Sequence, residues 1–376
     1  MKTEVDRLMS EKLNIRKAEN ALRQLKVVSG LVDFSSNDYL GFAKSKLLNQ
    51  EIKEAITLHE DGQIGSTGSR LLTGNSAYAE ELEREIASHH QVANGLIFNS
   101  GYAANTALLS CLPAKGDTII MDEYIHASMI DGARLSYAKR FKFKHNDLED
   151  LEHKLRQKTG ICYVAIESIY SMDGDMADLI SIAHLCKTYG AHLIVDEAHA
   201  FGVIGTGVVD TIELQRLVFA RIITFGKALG LHGAIILGSQ LLKDYLVNFA
   251  RPFVYSTAPP LNHLITIKTA YAHLLSRPHL QKELKGKIKL FYEYMPAAPS
   301  LDSTRNPTPI QCVFFDGNDA CRKASDQLVK QGFDVRAILS PTVPYGKERL
   351  RICLHLHNSD EEVISLCKKL STLCNN

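Results

Sequence analysis

Short apolar runs alternate with helix-length segments through much of this 376-residue chain, and this alternation restricts the fold more than any other feature. Six of the runs have the length of β-strands and cover residues 95–98, 118–121, 161–166, 192–195, 221–225 and 234–237. Segments such as 103–112 and 179–189 are long enough to be helices that connect one strand to the next. Apolar strands joined by helices predict an α/β fold in which helices sandwich a mostly parallel central sheet.

The remaining segments divide the chain into three predicted parts. Residues 1–36 hold an amphipathic helix over 4–25, expected to pack on the body of the protein, and an arm; residues 37–275 form the large α/β domain. Residues 276–376 are predicted to begin with a Lys- and Pro-rich connection over 277–309 and to continue as a smaller α+β domain. Its elements are strands at 310–315, 333–337 and 350–354, a helix near 320–331 and a last helix from 359.

Charge and composition exclude several classes of protein. The 43 Lys and Arg residues nearly balance the 42 Asp and Glu residues, so no net field attracts nucleic acid. No run reaches the roughly 18 uncharged apolar residues of a membrane span, and the charged N-terminus does not resemble a secretion signal. Eight scattered cysteines without a C-x-x-C pair are predicted to be reduced core residues. We therefore expect a cytoplasmic protein that binds neither nucleic acid nor membrane.

A carboxylate follows the predicted strand 192–195, where open α/β sheets bind ligands. The motif DEAH over residues 196–199 allows three interpretations. A nucleotide hydrolase would need an upstream G-x-x-x-x-G-K-[ST] loop, which the sequence lacks. A metal site would need further ligands that no nearby residue supplies. The third interpretation is a structural carboxylate that caps a turn.

Lys227 changes the balance between these interpretations. It lies between glycines directly after the predicted strand 221–225, away from the surface positions that most lysines occupy. Pyridoxal phosphate chemistry needs a lysine that binds the aldehyde and a carboxylate that pairs with the protonated pyridine nitrogen. Lys227 and Asp196, at the ends of two strands of one sheet, supply both groups, although either alone is more often structural.

Two further segments fit the same cofactor. After the strand 95–98, Gly101 and Tyr102 begin a predicted helix, and a helix N-terminus binds phosphate. His126 follows the strand 118–121 and offers a ring that can stack on the cofactor, although a lone histidine there is more often a hydrogen-bonded structural residue. Each signal is weak alone.

Together the motifs resemble the α-oxoamine synthases, fold-type I pyridoxal phosphate enzymes that condense an amino acid with an acyl-CoA and release carbon dioxide. The resemblance runs from about residue 15 to the C-terminus. Seven motifs carry it in the family's order: NDYLG (37–41), GSTGSR (65–70), NSGYAAN (99–105), HAS (126–128), SMDGD (171–175), DEAH (196–199) and TFGK (224–227).

The resemblance implies a role for each matching residue. Lys227, Asp196 and His126 would be the catalytic lysine, the pyridine partner and the stacking ring, with His199 beside the cofactor's phenolic oxygen. Gly101, Tyr102 and Thr224 would hold the phosphate, and Thr257 of a second subunit would complete this site, so a homodimer is expected. Ser171 and Glu167 would line the ring side. Arg351 would bind the amino acid carboxylate, and the weaker assignments to the substrate side are Asn37, Arg23 and Thr342.

Within the family, the glycine loop 65–75 and the segment SPTVP over 340–344 look most like the members that join L-alanine to a pimeloyl thioester. The alternatives are a sister enzyme that uses glycine or serine, a synthase that uses another acyl chain, or a non-catalytic subunit, which typically lacks the lysine. The acyl carrier, CoA or a carrier protein, stays open. The sequence departs from the family pattern in two places. The segment 27–33, which follows Arg23, is shorter than the small hairpin usual there, and Ala228 stands where a glycine is more usual.

Overall fold

In the computed structural model of the protein, the described residues are 3–25, 27, 29–59, 65–295 and 306–374. The α-helices are α1 Glu4–Ala18, α2 Lys46–Thr57, α3 Ala77–His89, α4 Gly101–Cys111, α5 Ala127–Leu135, α6 Leu148–Arg156, α7 Leu179–Thr188, α8 Val208–Thr211, α9 Gln240–Phe249, α10 Arg251–Val254, α11 Leu261–Leu275, α12 His279–Tyr294, α13 Gly317–Lys330 and α14 Asp360–Cys374. The strands are β1 Val32–Asp33, β2 Asn94–Phe98, β3 Thr118–Asp122, β4 Lys139–Phe143, β5 Cys162–Glu167, β6 His192–Asp196, β7 Val218–Thr224, β8 Ala234–Gly238, β9 Ile310–Phe314, β10 Phe333–Asp334, β11 Arg336–Ile338 and β12 Arg349–Cys353.

The chain forms two compact units, and the larger one comprises residues 37–171 and 175–282. Its seven-stranded sheet has the order β2-β8-β7-β6-β5-β3-β4. β8 runs antiparallel to both β2 and β7, whereas the pairs from β7 to β4 are parallel. Strands β3 and β5 are buried along their whole length, as expected for a sheet covered on both faces. The predicted fold class is therefore confirmed.

Helices α4 and α5 pack closely on this unit's core, which explains one glycine. A Cβ atom added to Gly132 in α5 would lie 2.9 Å from the Cα atom of Thr106 in α4. Because only glycine permits this approach, the two helices can bring their N-terminal ends to neighbouring places on the sheet. The surrounding core is apolar and includes Leu108, Met129 and Ile222.

The smaller unit comprises residues 1–36, 172–174 and 283–376. It holds an antiparallel sheet of order β11-β12-β9 and a parallel pair of β1 with β10. The single strand predicted at 333–337 is wrong, because buried Val335 separates β10 from β11 and each joins a different sheet. The α+β character predicted for this region is confirmed.

Other expectations need correction. The N-terminal helix ends at Ala18 rather than 25, since Asn20 adopts a left-handed backbone with φ 52°, and its apolar residues Leu8 and Ile15 stay exposed. Helix α12 occupies much of the predicted connection 277–309, because Leu284, Ile288 and Phe291 form a buried stripe at helical spacing; residues 296–305 lie outside the described residues. Strand β4 was not predicted, since its sequence KRFKF is mostly exposed and charged.

Two smaller findings concern the cysteines and the membrane. None of the seven cysteines described with their side chains forms a disulfide, and six of them are buried. Among the described residues, none of the helices has both the length and the apolar character that a membrane crossing requires.

Candidate functional site

A pocket of about 250 Å³ lies in the larger unit, where strands β5, β6 and β7 end and helix α4 begins. Nine of its lining residues were singled out from the sequence: Asn37, Gly101, Tyr102, His126, Glu167, Asp196, His199, Thr224 and Lys227. They come from segments separated by up to 190 positions in the chain (227 minus 37). Parallel strands end at one edge of the sheet, which is why these segments converge there.

Asp196 is the last residue of β6, and its carboxylate is held by two donors. The backbone N–H of Ala198 donates to Oδ1 at 2.9 Å, and Asn105 Nδ2 donates to Oδ2 at 2.7 Å. The residue is only 4% exposed. With one donor on each oxygen, the carboxylate has a fixed orientation and keeps its other acceptor directions for a ligand in the pocket.

Lys227 lies three residues beyond the end of β7, in a tight turn. The N–H of Gly230 donates to the Lys227 carbonyl at 2.8 Å, and Gly230 has φ 64°, a left-handed conformation that favours glycine. Ala228, where the family usually has glycine, is buried and faces Gly202, at which an added Cβ would lie 2.6 Å from the Ala228 methyl. The extra methyl group of Ala228 is therefore matched by a missing one at Gly202.

The N-terminus of α4 forms a cradle for an anion. Ser100 caps the helix by accepting from the N–H of Ala103 at 3.1 Å, while the first N–H groups of a helix have no acceptor within it. A Cβ atom on Gly101 would lie 2.6 Å from the Thr224 methyl, so only glycine lets this turn approach the end of β7. Thr224 Oγ1 is buried without a hydrogen-bond partner among the described residues. Amides, a hydroxyl and a helix N-terminus are the donors that phosphate needs.

His126 caps the N-terminus of α5 and lies at the open side of the pocket. Its Nδ1 accepts from the N–H of Ser128 at 3.2 Å and lies 2.6 Å from Ser128 Oγ. Desolvation by the surrounding protein lowers the pKa of His126, nearby Asp196 opposes this, and Lys227 adds to the lowering. A neutral ring is therefore the favoured form.

Glu167 ends β5 directly beside Asp196, its partner in the parallel register. Burial raises the pKa of Glu167 well above its ordinary value, and the charge of Asp196 raises it further. Both effects favour the neutral form of Glu167, because two adjacent buried carboxylates cannot both ionise readily.

His199 is oriented by a buried tyrosine. Tyr39 OH lies 2.7 Å from His199 Nδ1 and donates to Asn37 Oδ1 at 3.1 Å. This contact to Nδ1 fixes the orientation of the His199 ring. Asn37 was assigned to the substrate side, and its contact with Tyr39 gives it a part in positioning His199.

The other predicted site residues lie elsewhere. The described pocket lining does not include Ser171, which is buried, or Thr257, which pairs with Ser69 and accepts from Asn99 Nδ2 at 2.9 Å. Three belong to the smaller unit: Arg351 on β12, which contacts Cys353 Sγ at 3.0 Å, and Arg23 and Thr342, which bond to each other at 3.0 Å.

Sequence reasoning did not assign roles to Asn105 and Tyr39. Asn105 is 2% exposed and lies one helical turn after Gly101. Its signal was a buried amide side chain among the mostly apolar buried residues of α4. Tyr39 could not have been found in this way, because its partner is 160 positions away in the chain.

Comparison with known proteins gives a consistent result. Residues 29–370 match the family model described as "Aminotransferase class I and II". The chain is 40% identical to 8-amino-7-oxononanoate synthase of Emericella nidulans, over 97% of this chain and 94% of that protein. It resembles the crystal structure of 8-amino-7-oxononanoate synthase from Francisella tularensis with TM-score 0.77 and 26% identity, covering 91% of this chain and 97% of that one. A structure of SPT with PLP shares the fold with TM-score 0.87 and 24% identity, covering 98% and 96%.

Proposed function

Because this chain belongs to the aminotransferase class I and II family, as a PLP-dependent acyltransferase similar to 8-amino-7-oxononanoate synthase, we propose that its pocket binds pyridoxal 5′-phosphate (PLP) and catalyses the carbon–carbon bond formation of that enzyme. L-alanine and a pimeloyl thioester would give 8-amino-7-oxononanoate, a biotin precursor. The alanine α-carbon bonds to the thioester carbonyl carbon, the C–S bond breaks, and the thiol leaves. The alanine carboxylate leaves as carbon dioxide, and a proton takes its place.

The observation that carries the proposal is the shared pocket of Asp196, Lys227 and the α4 N-terminus. When bound, PLP draws the electron pair of a broken α-carbon bond into its ring. Asp196, held by a donor on each oxygen, would pair with the protonated pyridine nitrogen. The amides of Gly101 and Tyr102 and the Thr224 hydroxyl would bind the phosphate. The acceptor at Asp196 and the donors at the N-terminus of α4 thus match the opposite ends of one ligand.

The remaining pocket residues would bind the aldehyde and orient the ring. Lys227 would hold the aldehyde carbon and, once displaced by alanine, remove the proton from its α-carbon. The His126 ring would stack on the pyridine ring, and His199 would lie beside the phenolic oxygen. Ser171 and Glu167 are proposed to support the ring side.

The substrate side is proposed from the family resemblance. Arg351 would bind the alanine carboxylate in a bidentate pair. Asn37 and Thr342 are the further candidates for substrate contacts. Pimelate ends in a carboxylate that is costly to bury unpaired, so a cation should meet it, and Arg23 is the candidate. Thr257 of a second copy of the chain would complete the phosphate site, which makes the active protein a homodimer. The acyl group arrives on CoA or on a carrier protein.

The proposal is tested by comparing substrates on one preparation. The protein should take up PLP, show visible absorbance of a lysine-linked cofactor, and release free thiol fastest with L-alanine and pimeloyl-CoA. Glycine, serine, acetyl-CoA and palmitoyl-CoA serve as the competing substrates. Turnover with glycine and acetyl-CoA, or serine and palmitoyl-CoA, above that with alanine and pimeloyl-CoA would move the assignment to a sister enzyme.

Lys227→Ala is the matched control. It should bind PLP without a borohydride-reducible link and show no turnover with any pair. A reduced cofactor mapped to another lysine would contradict the assigned role. Sedimentation of the active protein should give a dimer, and full activity of a monomer at the assay concentration would remove Thr257 from the proposal.

A further inference from the structure

We propose that Asn105 is a positioning residue that fixes Asp196 directly and His126 through Ser128, so that the carboxylate and the stacking ring are held as one unit. The inference rests on the proposed function, since both ends of this arrangement serve the cofactor. The four residues come from α4, β6 and the start of α5, all in the larger unit.

Asn105 donates both of its side-chain amide hydrogens to residues of this arrangement. Nδ2 donates to Asp196 Oδ2 at 2.7 Å and to Ser128 Oγ at 3.0 Å. The reverse orientation of the amide would place its oxygen 2.7 Å from a carboxylate oxygen, where two acceptors repel each other. The charge of Asp196 therefore fixes which way Asn105 points, and Asn105 in turn fixes Asp196.

Ser128 connects Asn105 to His126 by hydrogen bonds. Its oxygen accepts from Asn105, which leaves the single hydroxyl hydrogen to donate to His126 Nδ1 at 2.6 Å. The backbone N–H of Ser128 also donates to Nδ1, at 3.2 Å. With two donors on Nδ1, the ring carries its hydrogen on Nε2 and stays uncharged.

With PLP bound, the arrangement would place the Asp196 carboxylate at the pyridine nitrogen and a neutral His126 ring against the face of the pyridine. A positively charged His126 would oppose protonation of the pyridine nitrogen. A neutral His126 ring therefore leaves Asp196 able to favour the protonated form. Asn105 also lies one turn after Gly101 on α4. The helix whose N-terminus would bind the phosphate therefore orients the carboxylate at the other end of the cofactor.

Asn105→Leu tests the inference, since leucine has a similar volume but no donor. PLP affinity is measured by dialysis and absorbance, together with the pH profile of the absorbance of bound PLP. We expect about 10- to 100-fold weaker binding, as for loss of one hydrogen bond to a charged group, and a shifted pH profile. The matched control is Thr106→Val, which removes the bond from Thr106 Oγ1 to the Ser128 carbonyl but touches neither Asp196 nor His126. It should bind PLP within about twofold of the unaltered protein.

A second readout needs no cofactor. In the PLP-free protein at pH 7, the Asp196 carboxyl carbon signal, assigned with Asp196→Asn, should move in Asn105→Leu and stay in place in Thr106→Val, because only the first variant removes a donor from that carboxylate. Failure of the unaltered chain to bind PLP would end the proposed function, and this signal would still decide the role of Asn105.

Two results would overturn the inference: a folded Asn105→Leu with an unchanged pH profile and an unchanged carboxyl signal, or equal effects of Asn105→Leu and Thr106→Val. Should Asn105→Leu not fold, Asn105→Ala replaces it, since alanine removes the same donor and adds no volume or charge. The same changes are expected, and their absence is equally decisive.

Discussion

Two adjacent residues at the end of β6, Asp196 and Glu197, have opposite surroundings. Asp196 lines the pocket and is held by a backbone amide and an asparagine. Glu197 is fully buried outside that lining, accepts from the N–H of Val209 at 3.0 Å and contacts the guanidinium of Arg221 in an ion pair. Successive side chains of a strand point to opposite faces. One dipeptide thus supplies a carboxylate for chemistry and another for stability.

Glu197 belongs to a network of buried side chains joined by ion pairs and hydrogen bonds. Arg221 binds Asp210 through both terminal nitrogens, at 2.6 and 2.9 Å. His90 lies between Asp210, at 2.6 Å from Nδ1, and the hydroxyl of Tyr271. Burial raises the pKa of Glu197, although Arg221 opposes this. The network pairs its charged side chains with one another, and neither Glu197 nor Arg221 lines the described pocket.

The largest expected effect comes from Asp196→Asn. A neutral partner leaves the pyridine nitrogen poorly protonated, so exchange of the alanine α-hydrogen with deuterated solvent should fall about 100- to 1000-fold, the scale for one preorganised charge contact. Stability should change little, because asparagine still accepts from Ala198. Exchange is compared at saturating PLP, where the variant should keep its cofactor although its affinity falls with the lost charge. Exchange at the unaltered rate would remove the distinction drawn between the two carboxylates.

Glu197→Gln should lower the stability of the protein and leave the PLP site unchanged. Removing one charge from a buried ion pair costs about 3 kcal/mol of unfolding free energy, measured by urea unfolding at pH 7. The absorbance of bound PLP should be unchanged. Glu149→Gln on exposed α6 is the matched control and should unfold like the unaltered protein. A large change in the PLP spectrum with normal stability would place Glu197 in the site instead.

A third effect, on the pH dependence of stability, concerns His90 on the Glu197 side. Burial lowers the pKa of His90 to about 4, although Asp210 opposes it. Between about pH 6.5 and 4 the unfolded chain therefore binds a proton that the folded chain rejects, and stability falls as the pH falls. From pH 7 to 5 the loss should be about 2 kcal/mol. His90→Gln should lack this component in urea unfolding, whereas exposed His153→Gln should keep it.

The smallest effect tests the phosphate end of the pocket. Gly101→Ala places a methyl group against Thr224, and we expect PLP affinity to fall about tenfold, equivalent to roughly 1.4 kcal/mol, with little change in stability. Gly286→Ala in α12, where nothing lies within 4 Å of an added Cβ, is the control and should leave affinity unchanged. Normal affinity in Gly101→Ala would argue against phosphate at this turn.

Much of the pocket could be predicted because its residues follow strands. Asp196, Lys227, Gly101 and His126 each come directly after an apolar run, and parallel strands end at one edge of the sheet. The substrate side was less predictable. Arg23 and Thr342 bond to each other in the smaller unit, and neither follows a periodic pattern that fixes where its side chain points.

The sequence by itself determined the strand and helix alternation, the fold class and the motifs at the strand ends, because these depend on local apolar patterns and short spacings. Only the tertiary structure decided that Asn105 reaches Asp196, that Tyr39 bonds to His199, that Val335 separates two strands, and that Glu197 meets Arg221 in the core. Each of the side-chain pairings joins residues far apart in the chain or fixes which face of a strand a residue occupies. Such contacts depend on how whole elements pack, which a local pattern does not specify.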